Sequence, residues 1–223
     1  MAFSDLFARL RKDEVVPSTE GTAASDVYAS KALARFLSLL GTRAQPVLLD
    51  LGPVVGGNVT FFGEQLHCKI MVEDLYADVE RHVTRDTVDQ LPAFFETRLT
   101  GTPDQSVDGI LCWDVFDYLD RDAARALARQ LTRVLRPDGV LLAFFGAAQP
   151  EPGAAFYTRH LVVDTDKLER RAYPASRGKL KPLPNRDIEL MFAPLKVTEQ
   201  FLLKTKVREV LLRKPAVVPV EPA

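Results

Sequence analysis

The residues best spaced for chemistry fall between 47 and 75, where the chain reads Val47-Leu-Leu-Asp-Leu-Gly-Pro-Val-Val-Gly-Gly-Asn-Val-Thr-Phe-Phe-Gly-Glu-Gln-Leu-His-Cys-Lys-Ile-Met-Val-Glu-Asp-Leu75. Asp50, Gly52, Pro53, Gly56, Gly57, Asp74 and Leu75 are its candidate ligand-binding positions. Glycines let a backbone come close to a ligand, and a helix start offers free N–H groups to it. A carboxylate at the tip of a following strand can accept both hydroxyls of a ribose. The spacing from Asp50 to Asp74 is near the roughly 20 residues expected between a glycine turn and a ribose-binding acid. Adjacent Glu73 and Asp74 point to opposite sides of a strand, so one of them meets the ribose. The stretch therefore reads as a pocket for a nucleoside-containing cofactor.

Strands and helices must hold those groups in place. Val47 to Leu51 is an apolar run of the buried parallel kind, broken at Gly52-Pro53. Val59, Phe62 and Leu66 have helical spacing, and Ile70 to Val72 is a second apolar run closed by Glu73-Asp74. Upstream, a helix is predicted from about Ser25 to Leu40, capped by Gly41 and carrying Tyr28 in its first turn. Downstream, Tyr76 to Val83 is predicted helical, Val88 to Phe95 gives a short periodic piece, and Glu96 to Thr100 is the candidate third strand. Ile110 to Trp113 reads as a central strand with Asp114 to Leu119 as its exit, followed by a helix over Asp122–Leu135. Leu135-Arg-Pro-Asp-Gly139 is a tight turn in which proline sets φ and glycine takes a positive one, leading to the strand Val140–Phe145.

Asp50-Leu-Gly52, the acid at Asp74-Leu75 and the series strand, Trp113-Asp114, helix, Leu-Arg-Pro-Asp-Gly, strand resemble the class I S-adenosylmethionine-dependent methyltransferase family over residues 25–146. The resemblance implies an α/β fold: a Rossmann-like, doubly wound, seven-stranded, mostly parallel sheet with an antiparallel last strand. It implies S-adenosylmethionine as cofactor, with Asp50, Gly52, Pro53, Gly56, Gly57, Asp74, Leu75 and Trp113 lining it and Asp74 on the ribose. Tyr28 would lie close by. Methyl transfer from a sulfonium asks mainly for positioning, because the leaving group is already activated. An acceptor of high pKa would need a base. Asp114, Asp117 and Tyr118, at the exit of the fourth strand, are the candidates, each with a bland alternative as a cap or a solvent-facing residue. Val54 stands where the family usually has another glycine. Two readings follow: an active methyltransferase on an unidentified acceptor, or a degenerate methyltransferase-like domain serving as a protein- or RNA-interaction module.

From 147 to 186 the chain changes character, and in this family a substrate-specific insertion stands here. A hairpin is predicted from His160–Asp164 to Arg171–Tyr173, and Lys167, Arg170, Arg171, Arg177, Lys179, Lys181 and Arg186 make a basic cluster. Such a cluster could meet nucleic acid or stay a solvated loop. Asn185 is a candidate N-cap for a helix over 186–192. Thr198–Lys204 and Lys206–Arg213 are predicted extended and apolar, and the resemblance implies that they form the buried antiparallel pair of last strands. The organisation expected is 1–24 as N-terminal helix (residues 3–12) and linker, 25–214 as the methyltransferase-like domain with 147–186 as substrate-side insertion, and 215–223 as a disordered tail.

With 223 residues, 47% hydrophobic and 26% charged, the composition is that of a globular protein able to bury a core. A net charge of −1 exerts no general pull on nucleic acid or anionic membrane. Cys68 and Cys112 are expected as buried thiols, and His67, His82 and His160 lack metal-ligand spacing, so no metal is expected. No G-x-G-x-x-G or Asn-Pro-Pro-Tyr motif is present, and no run is long enough to span a membrane. A cytoplasmic monomer or homodimer acting on a small molecule or a protein is the expectation.

Overall fold

The computed structural model describes residues 26–151 and 153–216. The helix expected over 3–12 and most of the expected tail lie outside them. The elements in order are β1 (Asp26–Ala29), α1 (Lys31–Leu40), β2 (Val47–Asp50), α2 (Gly56–Thr60), β3 (Lys69–Val72), α3 (Leu75–Thr84), α4 (Leu91–Arg98), β4 (Val107–Trp113), α5 (Arg121–Val134), β5 (Leu135–Gly146), β6 (Phe156–Asp164), β7 (Lys167–Pro174), α6 (Asn185–Met191), β8 (Lys196–Leu202) and β9 (Val207–Arg213). The main sheet has six strands in the order β3-β2-β4-β5-β9-β8. β2, β3, β4 and β5 are parallel, and β9 enters antiparallel between β5 and β8.

Alternation along the parallel strands builds a core on both faces of this sheet. Leu48, Leu111 and Leu142 join Leu33, Phe36 and Leu40 of α1 on one face, while Leu49, Ile110 and Leu141 meet Phe95, Leu127 and Leu131 of α4 and α5 on the other. The sheet is thus doubly wound, as predicted. Ser30 starts α1 by accepting the Leu33 N–H at 3.0 Å, and Asp120 starts α5 by accepting those of Asp122 and Ala123.

Beside this lies a three-stranded antiparallel sheet, β1-β7-β6. Its hairpin β6–β7 is the one predicted within 147–186. Its first strand is a correction: residues 26–29, expected in the first turn of a helix, pair with Lys167–Arg170 instead, so Tyr28 stands in a strand. Ser30 marks the true helix start.

Other expectations are corrected on physical grounds. Glu96–Thr100 is no strand. Leu91, Phe95 and Leu99 are buried at helical spacing, so the segment ends α4 and the main sheet has six strands rather than seven among the described residues. Residues 135–139, expected as a turn ahead of a strand at Val140, belong to β5 from its first residue; the positive φ (60°) there is at Asp138, and Gly139 is needed for room, since a Cβ would sit 2.7 Å from Leu135. Asn185 does not cap α6 with its side chain, whose oxygen accepts from Arg208. β9 is buried, but β8 is an alternating edge with Leu202 63% exposed. Cys68 and Cys112 are buried free thiols as expected. No helix among the described residues is long and apolar enough to cross a membrane.

Candidate active site

The carboxyl ends of β2, β3 and β4 converge, and hairpin β6–β7 lies across them. Asp50 ends β2, buried, with Oδ1 accepting the Gly52 N–H at 2.9 Å and the Trp113 indole N–H at 2.6 Å. Burial pushes its carboxyl up to about 6, against the pull of those two donors. Trp113 ends β4 with φ at +50°, a strained setting for a bulky side chain that costs on the order of 1–3 kcal/mol. That turn lays the indole on Gly52, where a Cβ would stand 2.8 Å from two indole atoms. Gly52 is therefore small because an indole approaches it. Gly56 and Gly57 open α2 with nothing within 4 Å of where a Cβ would stand.

Asp74 follows β3 and caps α3, Oδ1 accepting the Ala77 N–H at 3.0 Å. Oδ2 has no partner among the described residues. Neighbouring Glu73 is bound by Arg98 at 2.7 Å. Asp74, Pro53, Tyr76, Tyr157 and Tyr173 line a cavity of about 210 Å³. Leu75, predicted beside the cofactor, has its side chain fully buried in the core instead.

Asp114, Asp117 and Tyr118 are all buried, so none is a solvent-facing residue. Asp114 accepts the Tyr76 hydroxyl at 2.6 Å, is bridged by Lys179 at 2.6 Å and has His160 Nε2 at 3.6 Å. Burial pushes its carboxyl up, but Lys179 and His160 outweigh that and hold it well below the usual carboxylate range. Burial also lowers the Lys179 ammonium, yet the two aspartates more than reverse this and raise it above the ordinary lysine range. Asp117 accepts the Gly146 N–H with both oxygens and Lys179 at 2.9 Å, tying β5 to the segment after the hairpin. Tyr118 donates to the Phe156 carbonyl at 2.8 Å, and burial with Asp114 and Asp117 drives its hydroxyl far above its ordinary range. An aspartate held ionised by a lysine, and a tyrosine whose hydroxyl is driven far above its ordinary range, are weak proton acceptors.

Four residues of the site escaped the sequence reading. Tyr76 was only part of a helix. Asn58, beside the glycines, is buried and clasps β6, donating to the His160 carbonyl at 2.9 Å and accepting the Val162 N–H at 2.8 Å. His160 lies parallel to Trp113 at 5.2 Å between ring centroids. Lys179 was one of a basic run. That run is dispersed in the fold: Lys167, Arg170, Arg171 and Lys179 each pair with a carboxylate. No cluster suited to a metal ion occurs among the described residues.

Residues 49–143, from the β2 tip into β5, match the family model of a methyltransferase domain. Over that stretch the chain is similar to a methyltransferase domain. Such domains bind S-adenosylmethionine. Among solved structures, the 1,6-didemethyltoxoflavin-N1-methyltransferase of Burkholderia thailandensis, with bound 1,6-didemethyltoxoflavin and S-adenosylhomocysteine, is 14% identical over 83% of this chain and 79% of its own, with a TM-score of 0.46. The CcbJ methyltransferase of Streptomyces caelestis is 15% identical over 82% and 94%, with a TM-score of 0.47. No curated protein matches the sequence.

The residues fit S-adenosylmethionine unevenly. Asp74, with a free oxygen at an aromatic cavity, suits the nucleoside half. The amino-acid arm would run along Gly52, where the indole of Trp113 now lies. An arm placed there would require the indole to turn away.

Proposed function

We propose that the protein is an S-adenosylmethionine-dependent methyltransferase, the working unit being 25–214 with 147–186 as its substrate side. The observation that carries this reading is the Asp74 carboxylate, with Oδ2 free, on the wall of the 210 Å³ cavity. Asp74 accepts the ribose hydroxyls, Tyr76, Tyr157 and Tyr173 wall the base, and Gly56 and Gly57 leave the loop open. When bound, the cofactor supplies a methyl group already activated on a positive sulfur. Hairpin β6–β7, clasped by Asn58, keeps water from the transfer.

Calorimetric titration with S-adenosylmethionine and S-adenosylhomocysteine tests this. Wild type is expected to bind one or both in the micromolar range. Asp74→Ala removes charge-assisted hydrogen bonds worth about 1.5–3 kcal/mol, so binding should weaken about 10- to 100-fold while the protein stays folded. Unchanged affinity would discard the ribose assignment. No heat at millimolar ligand would leave the fold as an interaction module.

A further inference from the structure

A second cavity, of about 180 Å³, is lined by Tyr28, Phe144, Phe156, Thr158, Asp114 and His160. Thr158 also lines the first cavity, and the Tyr76–Asp114 hydrogen bond runs between the two, since Tyr76 faces one and Asp114 the other. His160 is 6% exposed, yet neither ring nitrogen has a hydrogen-bond partner. Asp114 Oδ1 stands 3.6 Å from Nε2, close enough for attraction between charges but beyond hydrogen-bond length. A buried polar group left unpaired costs about 1–3 kcal/mol, so an unpartnered imidazole in a cavity wall points to a missing partner. The ring cannot turn freely to find one, being stacked on Trp113 and met edge-on by Phe144 at 5.0 Å.

The other walls restrict the ligand. Three are aromatic, and an apolar cavity of about 150 Å³ already takes benzene, so one ring fits. Two cations also line the cavity, and both are engaged: Lys179 with Asp114 and Asp117, and Arg170 with Asp26. An anionic ligand would bring an uncompensated charge against the buried carboxylate of Asp114.

We propose that this cavity is the methyl-acceptor site, that it takes a small neutral aromatic ring bearing an O–H or ring N–H, and that His160 is the base that accepts this proton. The inference rests on the methyltransferase reading. The acceptor's heteroatom passes its proton to His160 as it bonds to the methyl carbon, and the carbon–sulfur bond of the sulfonium donor breaks with its electron pair left on sulfur. Asp114, fixed as an anion by Lys179, steadies the imidazolium that results.

The chain's single tryptophan is the one stacked on His160, so its emission reports the cavity without any cofactor. The full chain is titrated with phenol and, separately, with benzoate, with selective excitation of Trp113. Phenol should change the emission saturably, benzoate should need at least about tenfold more, and His160→Asn should weaken phenol binding at least about fivefold. If that variant does not fold, nitrogen NMR of wild type replaces it: phenol should move the ring signals of one of the three histidines. No saturable change, benzoate binding as tight as phenol, or unmoved histidine signals overturn the proposal. Because no cofactor is present, phenol binding without S-adenosylmethionine binding would count against methyl transfer alone. Cofactor binding without phenol binding would count against this cavity alone.

Discussion

Asp50 is a carboxyl sealed beneath an indole, and its burial has a consequence for stability. Its ordinary value of 3.8 is raised to about 6 in the fold. Below pH 4 the group is protonated folded or unfolded, and it contributes no pH dependence. Between about 4 and 6 the unfolded chain has lost the proton that the folded chain keeps, so stability falls as pH rises. The full loss, up to about 3 kcal/mol, is reached above pH 6. Asp50→Asn does not titrate. Urea unfolding of both proteins at pH 4, 5.5 and 7 should show the variant gaining on wild type by up to that amount, and a flat difference would refute it. Lys179→Met poses the opposite case, leaving Asp114 and Asp117 buried without their cation. It should cost about 3–5 kcal/mol in the same assay, with part of the loss restored by adding Asp114→Asn. At this scale the sequence showed which strand tips carry acids, because acids and glycines interrupt apolar runs. It did not show that Trp113 covers Gly52 or that Lys179 reaches Asp114, since both contacts join residues more than sixty positions apart.

Among the elements, hairpin β6–β7 decides what reaches the site. Asn58 is the clasp: its amide serves the His160 carbonyl and the Val162 N–H. Asn58→Ala leaves both unpaired in a buried place, at about 1–3 kcal/mol each. Hydrogen exchange at Val162 should quicken about tenfold or more, while Ile110, in the middle of β4, keeps its rank among the slowest amides. Equal acceleration at both would mean that the clasp supports the whole domain rather than the hairpin. The hairpin was legible because two extended runs flank a turn. Residues 26–29 were misjudged as helix because their pairing partner, β7, lies far along the chain. Glu96–Thr100 was misjudged as strand because a family pattern was set above the helical spacing of Leu91, Phe95 and Leu99.

For the whole molecule, the six-stranded doubly wound sheet brings Asp50, Asp74 and Asp114 to one edge, and the smaller sheet roofs that edge. The roof divides the space into a cavity beside Asp74 and another beside His160, with the Tyr76–Asp114 bond between them. Parallel order was legible from buried apolar runs alternating with helices, but the roof belongs to tertiary pairing that no local pattern encodes.

The measurement that meets the central claim most directly compares adenosine with S-adenosylhomocysteine by Trp113 emission and calorimetry together. Both ligands should bind at Asp74. Only S-adenosylhomocysteine, which carries the amino-acid arm, should displace the indole from Gly52 and shift the emission to longer wavelength, with the same midpoint as its heat. Binding of S-adenosylhomocysteine without any change in emission, or no binding of either ligand, would contradict the account.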